Sequence, residues 1–97
     1  MLANLTRRRS ADALVETMLR HGVDRLFCVP GESYLALLDA LYDQPAIDLI
    51  VARHESGAGF MAMADSRCTG RPAVCLVSRG PGATNAAIAV HSAEQDG

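Results

Sequence analysis

The chain has 97 residues, 49% of them hydrophobic and 21% charged, with a formal net charge of -2. That balance belongs to a small globular domain with one core and excludes a disordered chain. The slight acidity and the 4% aromatic content offer neither the basic field nor the stacking platform that nucleic-acid binding needs, and no apolar run approaches the ~20 residues of a membrane span.

Residues 1–9 read as a solvated tail. Arg7, Arg8 and Arg9 cluster there, but no apolar core follows as it would in a secretory signal, and a short transit sequence is the other reading left open. From Ser10 the pattern turns helical, with Ala11, Leu14, Val15, Met18 and Leu19 on one stripe, Ser10 as the expected cap and Gly22 as the left-handed stop. Arg25 to Val29 is a short apolar run closed by Pro30-Gly31, which suits a strand buried on both faces. A second helix carries Tyr34, Leu37, Leu38 and Leu41 and stops at Gln44-Pro45.

Ile47 to Ala52 reads as a second buried strand, and Ser56 to about Arg67 as a third helix in which Gly57, Ala58, Gly59 and Ala62 permit close packing. Thr69 to Pro72 is a turn, Ala73 to Val77 a third strand, and Ser78-Arg79-Gly80-Pro81-Gly82 a loop into a last helix that holds Ala86 to Ala93. Strands alternating with helices at this spacing imply an α/β fold: a parallel sheet with helices on both faces, in three layers. With three strands the sheet is expected to be incomplete, so that residues 10–97 form part of a domain that ends early or depends on a partner.

Cys28, Cys68 and Cys75 are odd in number, and two lie in apolar runs where cysteine acts as a small hydrophobe. A reducing cytoplasm is the expected setting. No Cys-x-x-Cys or Cys/His spacing suggests a metal site.

Three loops follow strands: Pro30-Gly31-Glu32-Ser33, Arg53-His54-Glu55-Ser56-Gly57 and Ser78 to Asn85. In a parallel sheet they leave one edge, where open α/β folds place ligands. Glu55 sits where a strand hands over to a helix, and the N–H groups and dipole there favour negative charge. Glutamate is also common in any first helical turn, and the glycines serve equally well as plain turn residues. Gly80-Pro81-Gly82 invites a phosphate-cradle reading, but it matches neither phosphate-loop nor dinucleotide fingerprint, and Pro81 removes one N–H.

With these loops the sequence resembles the thiamine diphosphate (ThDP) enzymes related to acetolactate synthase, pyruvate oxidase, benzoylformate decarboxylase and pyruvate decarboxylase. The resemblance lies in their N-terminal pyrimidine-binding domain and runs from Ala11 onward. It is carried by Phe27-Cys28-Val29-Pro30-Gly31, Arg53-His54-Glu55 with Gly57 and Phe60, Thr69-Gly70-Arg71-Pro72 and Gly80-Pro81-Gly82-Ala83-Thr84-Asn85.

What the resemblance implies is the start of a pyrimidine-binding domain in an enzyme that decarboxylates or ligates 2-oxo acids, lyase or transferase, and homodimeric or homotetrameric. It gives Glu55 the bond to N1′ of the cofactor's aminopyrimidine, favouring the imino tautomer whose 4′ nitrogen takes the proton from thiazolium C2. Pro30, Gly31, Gly80, Pro81, Gly82, Thr84 and Asn85 are the expected cofactor contacts, and Glu32 is a candidate acid whose other reading is a solvated or capping carboxylate. His54 precedes the glutamate in many relatives, where it can simply pack or bond locally.

The chain departs from the family at Met63, Ala64 and Asp65, where relatives carry an acidic residue, Gly and Tyr. Asp65 on a packed face would be costly unless paired or solvated. The family also holds the diphosphate through Mg²⁺ in a C-terminal domain with a Gly-Asp-Gly motif not present in these 97 residues, so this chain is expected to supply half a site and to be nearly inert alone. The specific 2-oxo acid, the choice among decarboxylation, ligation and oxidation, and any need for FAD stay open. Two other readings stand beside it: a non-catalytic α/β module taking an anion or nucleotide at the strand ends, and a truncated chain without function.

Overall fold

The computed structural model describes residues 9–95, so residues 1–8 of the expected tail lie outside it. The elements are α1 (Ser10–Arg20), β1 (Arg25–Cys28), a 3-10 turn (Glu32–Tyr34), α2 (Leu35–Tyr42), β2 (Asp48–Val51), α3 (Glu55–Thr69), β3 (Cys75–Leu76) and α4 (Arg79–Gln95). The sheet is parallel with strand order β2-β1-β3. The α/β architecture expected from the alternation is the one observed.

β1 is the centre of the sheet. Leu26 and Cys28 are fully buried and Phe27 nearly so. Because successive side chains on a strand point to opposite faces, Leu26 and Cys28 join Ala11 and Val15 of α1 and Leu37 and Leu41 of α2 on one side. Phe27 meets Ala58 and Ala62 of α3 on the other. Two helical layers thus enclose one strand.

The cap of α1 is Arg9, not Ser10, which is the first helical residue. Asp12 explains the shift: its Oδ2 accepts from the Arg9 backbone N–H at 3.2 Å, and the Arg9 guanidinium reaches both Asp12 (3.2 Å) and Asp39 of α2 (2.8 Å). The stop is as expected. Gly22 has φ 79, the Val23 N–H donates to the Met18 carbonyl and the Gly22 N–H to that of Leu19, which together make a Schellman motif.

β2 corrects the expectation of a second buried strand. All four residues are exposed, Val51 at 58%, and among the described residues β2 is an edge strand that pairs only with β1. The buried member of the run is Ile47, just ahead of the strand. β3 is also shorter than Ala73 to Val77, pairing Cys75 with Phe27 and Leu76 with Cys28. A further bond, from Phe27 N–H to the Val74 carbonyl, continues the ladder by one residue.

The last helix begins earlier than its sequence suggests. Gly80, Pro81 and Gly82 lie inside α4, where the Gly82 N–H donates to the Ser78 carbonyl at 3.0 Å. Pro81 is tolerated because a first-turn N–H has no helical partner to lose. Asp65, the residue expected to need compensation, is 16% exposed and faces Arg25 at 3.8 Å, in a cluster where Arg71 approaches Asp24 at 3.8 Å.

α4 packs along α3 through small residues. A Cβ on Gly59 would fall 2.6 Å from the Cβ of Ala89, and Ala58, Ala62, Gly82, Ala86 and Ala89 are buried. Gly59→Ala is therefore expected to lower stability by about 1–3 kcal/mol of overpacking, less up to ~1 kcal/mol of gained helix propensity. Ala89→Gly in the same chain should relieve the clash, and urea unfolding of both single variants and the double variant checks the coupling.

Candidate functional site

The site follows from the order of the strands. β1 leads to α2 on one face of the sheet and β3, its neighbour, leads to α4 on the other. Adjacent strands whose connections part in opposite directions leave a crevice at their carboxyl ends, the usual ligand position in open α/β folds.

Three side chains hold the two lips of this crevice at a fixed spacing. Ser33 Oγ and Ser78 Oγ are 2.7 Å apart. The Tyr34 hydroxyl donates to the Val29 carbonyl at the end of β1 and lies 3.4 Å from that of Leu76 on β3. Gly31 lies so close to Ser78 that a Cβ there would be 2.6 Å from the serine Cβ and 2.9 Å from its Oγ. Sequence reading put Tyr34 on a helix stripe and gave Ser33 and Ser78 no role. Their position directly beyond two paired strands was the available signal.

Glu55 reaches the same rim from β2. His54 is the N-cap of α3, its Nδ1 accepting from the Ser56 N–H at 3.1 Å and lying 2.8 Å from Ser56 Oγ, so the histidine bonds locally. Glu55 is thereby the first helical residue, and its side chain extends to α4. Asn85 Nδ2 donates to Glu55 Oε1 at 3.1 Å, while Oε2 lies 3.5 Å from where a Cβ of Gly82 would stand. The Asn85 bond, then the glutamate's own backbone N–H, hold the carboxyl below the ordinary carboxylate range; burial opposes them, and the nearby His54 adds a still smaller lowering. Glu55 is ionised at neutral pH and half-buried. The carboxyl is thus partly open to water.

The structure brings together Gly31, Glu55, Gly82 and Asn85 through the third loop. Other candidates stand apart. Glu32 is exposed at the start of the 3-10 turn and its side chain has no bond or ion pair among the described residues. Pro30, Gly80 and Pro81 are exposed, and a Cβ at Gly80 would meet nothing within 4 Å. Thr84 is exposed too, and stands about 200° around α4 from Gly82, away from Glu55.

Arg79, at the start of α4, has φ 44, a left-handed conformation that costs a residue with a Cβ roughly 1–2 kcal/mol. An apolar groove of about 420 Å³ runs between α3, α4 and β3, but Gly31, Glu55 and Asn85 do not line it. No group of three or more His, Cys, Asp or Glu among the described residues could hold a metal ion.

Residues 8–97 match the family model of the thiamine pyrophosphate enzyme N-terminal TPP binding domain. The chain is 43% identical over 94 residues to acetolactate synthase of Bacillus subtilis (strain 168), covering 97% of this chain and 16% of that protein. It is 42% identical over 93 residues to the large subunit of acetolactate synthase isozyme 1 of Escherichia coli (strain K12), covering 94% and 16%. A probable 2-ketoarginine decarboxylase of Pseudomonas aeruginosa is 42% identical over 87 residues, covering 90% and 15%. The chain thus spans about one sixth of the length of these relatives.

Gly31→Ala tests the crevice. The new methyl overlaps Ser78, so the loops should separate with a loss of about 1–3 kcal/mol, and Ser78→Gly in the same chain should recover part of it. Urea unfolding measures the loss, and a stability equal to the wild type would mean that the two lips are not in contact.

Proposed function

This chain belongs to the thiamine pyrophosphate enzymes, as part of their N-terminal TPP binding domain, and from that premise we propose that it supplies the aminopyrimidine side of the site in an enzyme acting on 2-oxo acids. The reaction is decarboxylation, carboligation or both, of lyase or transferase type. The cofactor is thiamine diphosphate, whose thiazolium ring supplies a carbon nucleophile and a sink for electrons when bound.

The observation that carries this reading is the placement of Glu55. An ionised carboxylate stands at the carboxyl edge of the sheet, with one oxygen held by Asn85 and the other over a glycine. That second oxygen fits a heterocyclic nitrogen. The gap at Gly82 is one that any Cβ would narrow, and the close approach of Gly31 to Ser78 keeps the neighbouring lip low. With the cofactor bound, the Glu55 carboxylate would hold a proton at N1′ and so would favour the form of the aminopyrimidine that its chemistry calls for.

The described residues offer no cluster for the diphosphate's metal. We therefore assign Mg²⁺ and the diphosphate to another domain, and a homodimer or homotetramer would bring that domain to this rim. A reducing, cytoplasmic setting is supported by Cys28, Cys68 and Cys75, all three of them free thiols.

Glu55→Gln, with the diphosphate-holding domain present, tests the assignment. The expected result is retained fold and a loss of about 10²–10⁴-fold in hydrogen–deuterium exchange at C2 of bound thiamine diphosphate. Exchange at the wild-type rate would overturn it.

A further inference from the structure

The two oxygens of Glu55 have different surroundings, and both differences come from one face of α4. Gly82 and Asn85 are three residues apart and so stand one above the other on the helix surface. Gly82 leaves a gap beside Oε2, and Asn85 puts an amide on Oε1. We propose that Asn85 is the positioning residue of Glu55: it occupies Oε1 and thereby turns Oε2 to meet the ring nitrogen of an aminopyrimidine. Asn85 then acts on the glutamate and makes no direct contact with the cofactor. This rests on the reading of Glu55 given above.

Three features of the structure carry the proposal. First, an amide donor has a hydrogen to give and Oε1 has lone pairs to accept it, so the 3.1 Å contact has a defined polarity. Second, Glu55 is the first residue of α3 and Asn85 lies on α4, so the bond ties together two helices whose packing on small residues already limits their sliding. A carboxylate on a flexible stem would otherwise sample several rotamers, and a bond from a neighbouring helix selects one. Third, a methyl at position 82 would stand 3.5 Å from Oε2 and 3.4 Å from the Val77 Cβ. It would fit the fold in ordinary contact with both, and it would crowd Oε2.

The charged and titratable groups around Glu55 are few. His54 caps the same helix, Tyr34 comes from the first loop and Cys75 from β3; the last two are each pushed up mainly by burial, with the negative Glu55 a smaller cause. All of them stay in place when Asn85 is changed, so a change in the titration of Glu55 reports the lost amide.

The experiment follows the Glu55 carboxyl carbon by NMR against pH in the chain labelled at glutamate Cδ, with Glu55→Gln identifying the signal. Asn85 is exposed, and its truncation is expected to leave the amide spectrum folded. In Asn85→Ala the midpoint of Glu55 should move up toward the ordinary carboxylate range, and in the isosteric Asn85→Asp further up, because a like charge replaces the donor. In the wild type the Asn85 side-chain amide signals should follow the Glu55 midpoint. With the diphosphate-holding domain present, C2 exchange of thiamine diphosphate should fall about tenfold in Asn85→Ala, the worth of one hydrogen bond to a charged group. In Gly82→Ala exchange should be lost while the Asn85 amide signals still follow Glu55.

An unmoved Glu55 midpoint in both Asn85 variants overturns the positioning role, and so does Asn85 amide behaviour independent of Glu55. Wild-type exchange in Gly82→Ala overturns the choice of Oε2. These outcomes are separate from the failure of the functional reading, which shows itself as undiminished exchange in Glu55→Gln.

Discussion

The structure depends on the burial of β1 from both sides. Leu26 and Cys28 close one layer and Phe27 the other, and full burial of side chains like Leu26 and Phe27 is worth roughly 1.5–3 kcal/mol each. A strand covered on both faces and paired on both edges has little freedom in register. Its two parallel partners must then run the same way, and their three following loops must leave by the same edge. The meeting of Gly31, Glu55 and Asn85 on one rim follows from that constraint, although they lie far apart in sequence.

Features that depend on local pattern were legible in the sequence. The stripe of Ala11, Val15 and their neighbours, the stop at Gly22 and the apolar run of β1 each follow from short-range rules, and together they define an α/β unit with three loops on one edge. Features that depend on distant partners were not. Ile47 to Ala52 reads the same whether it lies at the centre of a sheet or on its border, and only the strand order puts it on the border. The Gly-Pro-Gly run reads as a turn because both residue types favour one, yet Pro81 in a first helical turn loses no bond, so the helix begins at Arg79. Asp65 needed Arg25, forty residues earlier in the chain, and nothing local indicates that pairing.

The candidate site divides in the same way. Glu55 was recognisable as a carboxylate at a strand-to-helix junction and through the motif around it. The partners that give it a direction were not, because Asn85 contributes through the turn of a helix that sequence reading started too late. With α4 beginning at Arg79, positions 82 and 85 share a face. Had the helix begun after Asn85, that residue would have been a loop side chain with no defined neighbour. The same correction separates Thr84, which stands on the other side of α4, from the residues that meet Glu55.

The rim is also where local stability is spent. Arg79 adopts a left-handed conformation at the start of α4, and Gly31 gives up a side chain so that its loop can lie against Ser78. A rim built only for stability would have a glycine at 79. Instead, a conformation that costs energy turns the chain into α4, and that helix brings Gly82 to the glutamate together with one amide donor. A carboxylate partly open to water and held by one side-chain amide and its own backbone N–H is less stable than a fully satisfied one, and its exposure on the rim is what a ligand would complete.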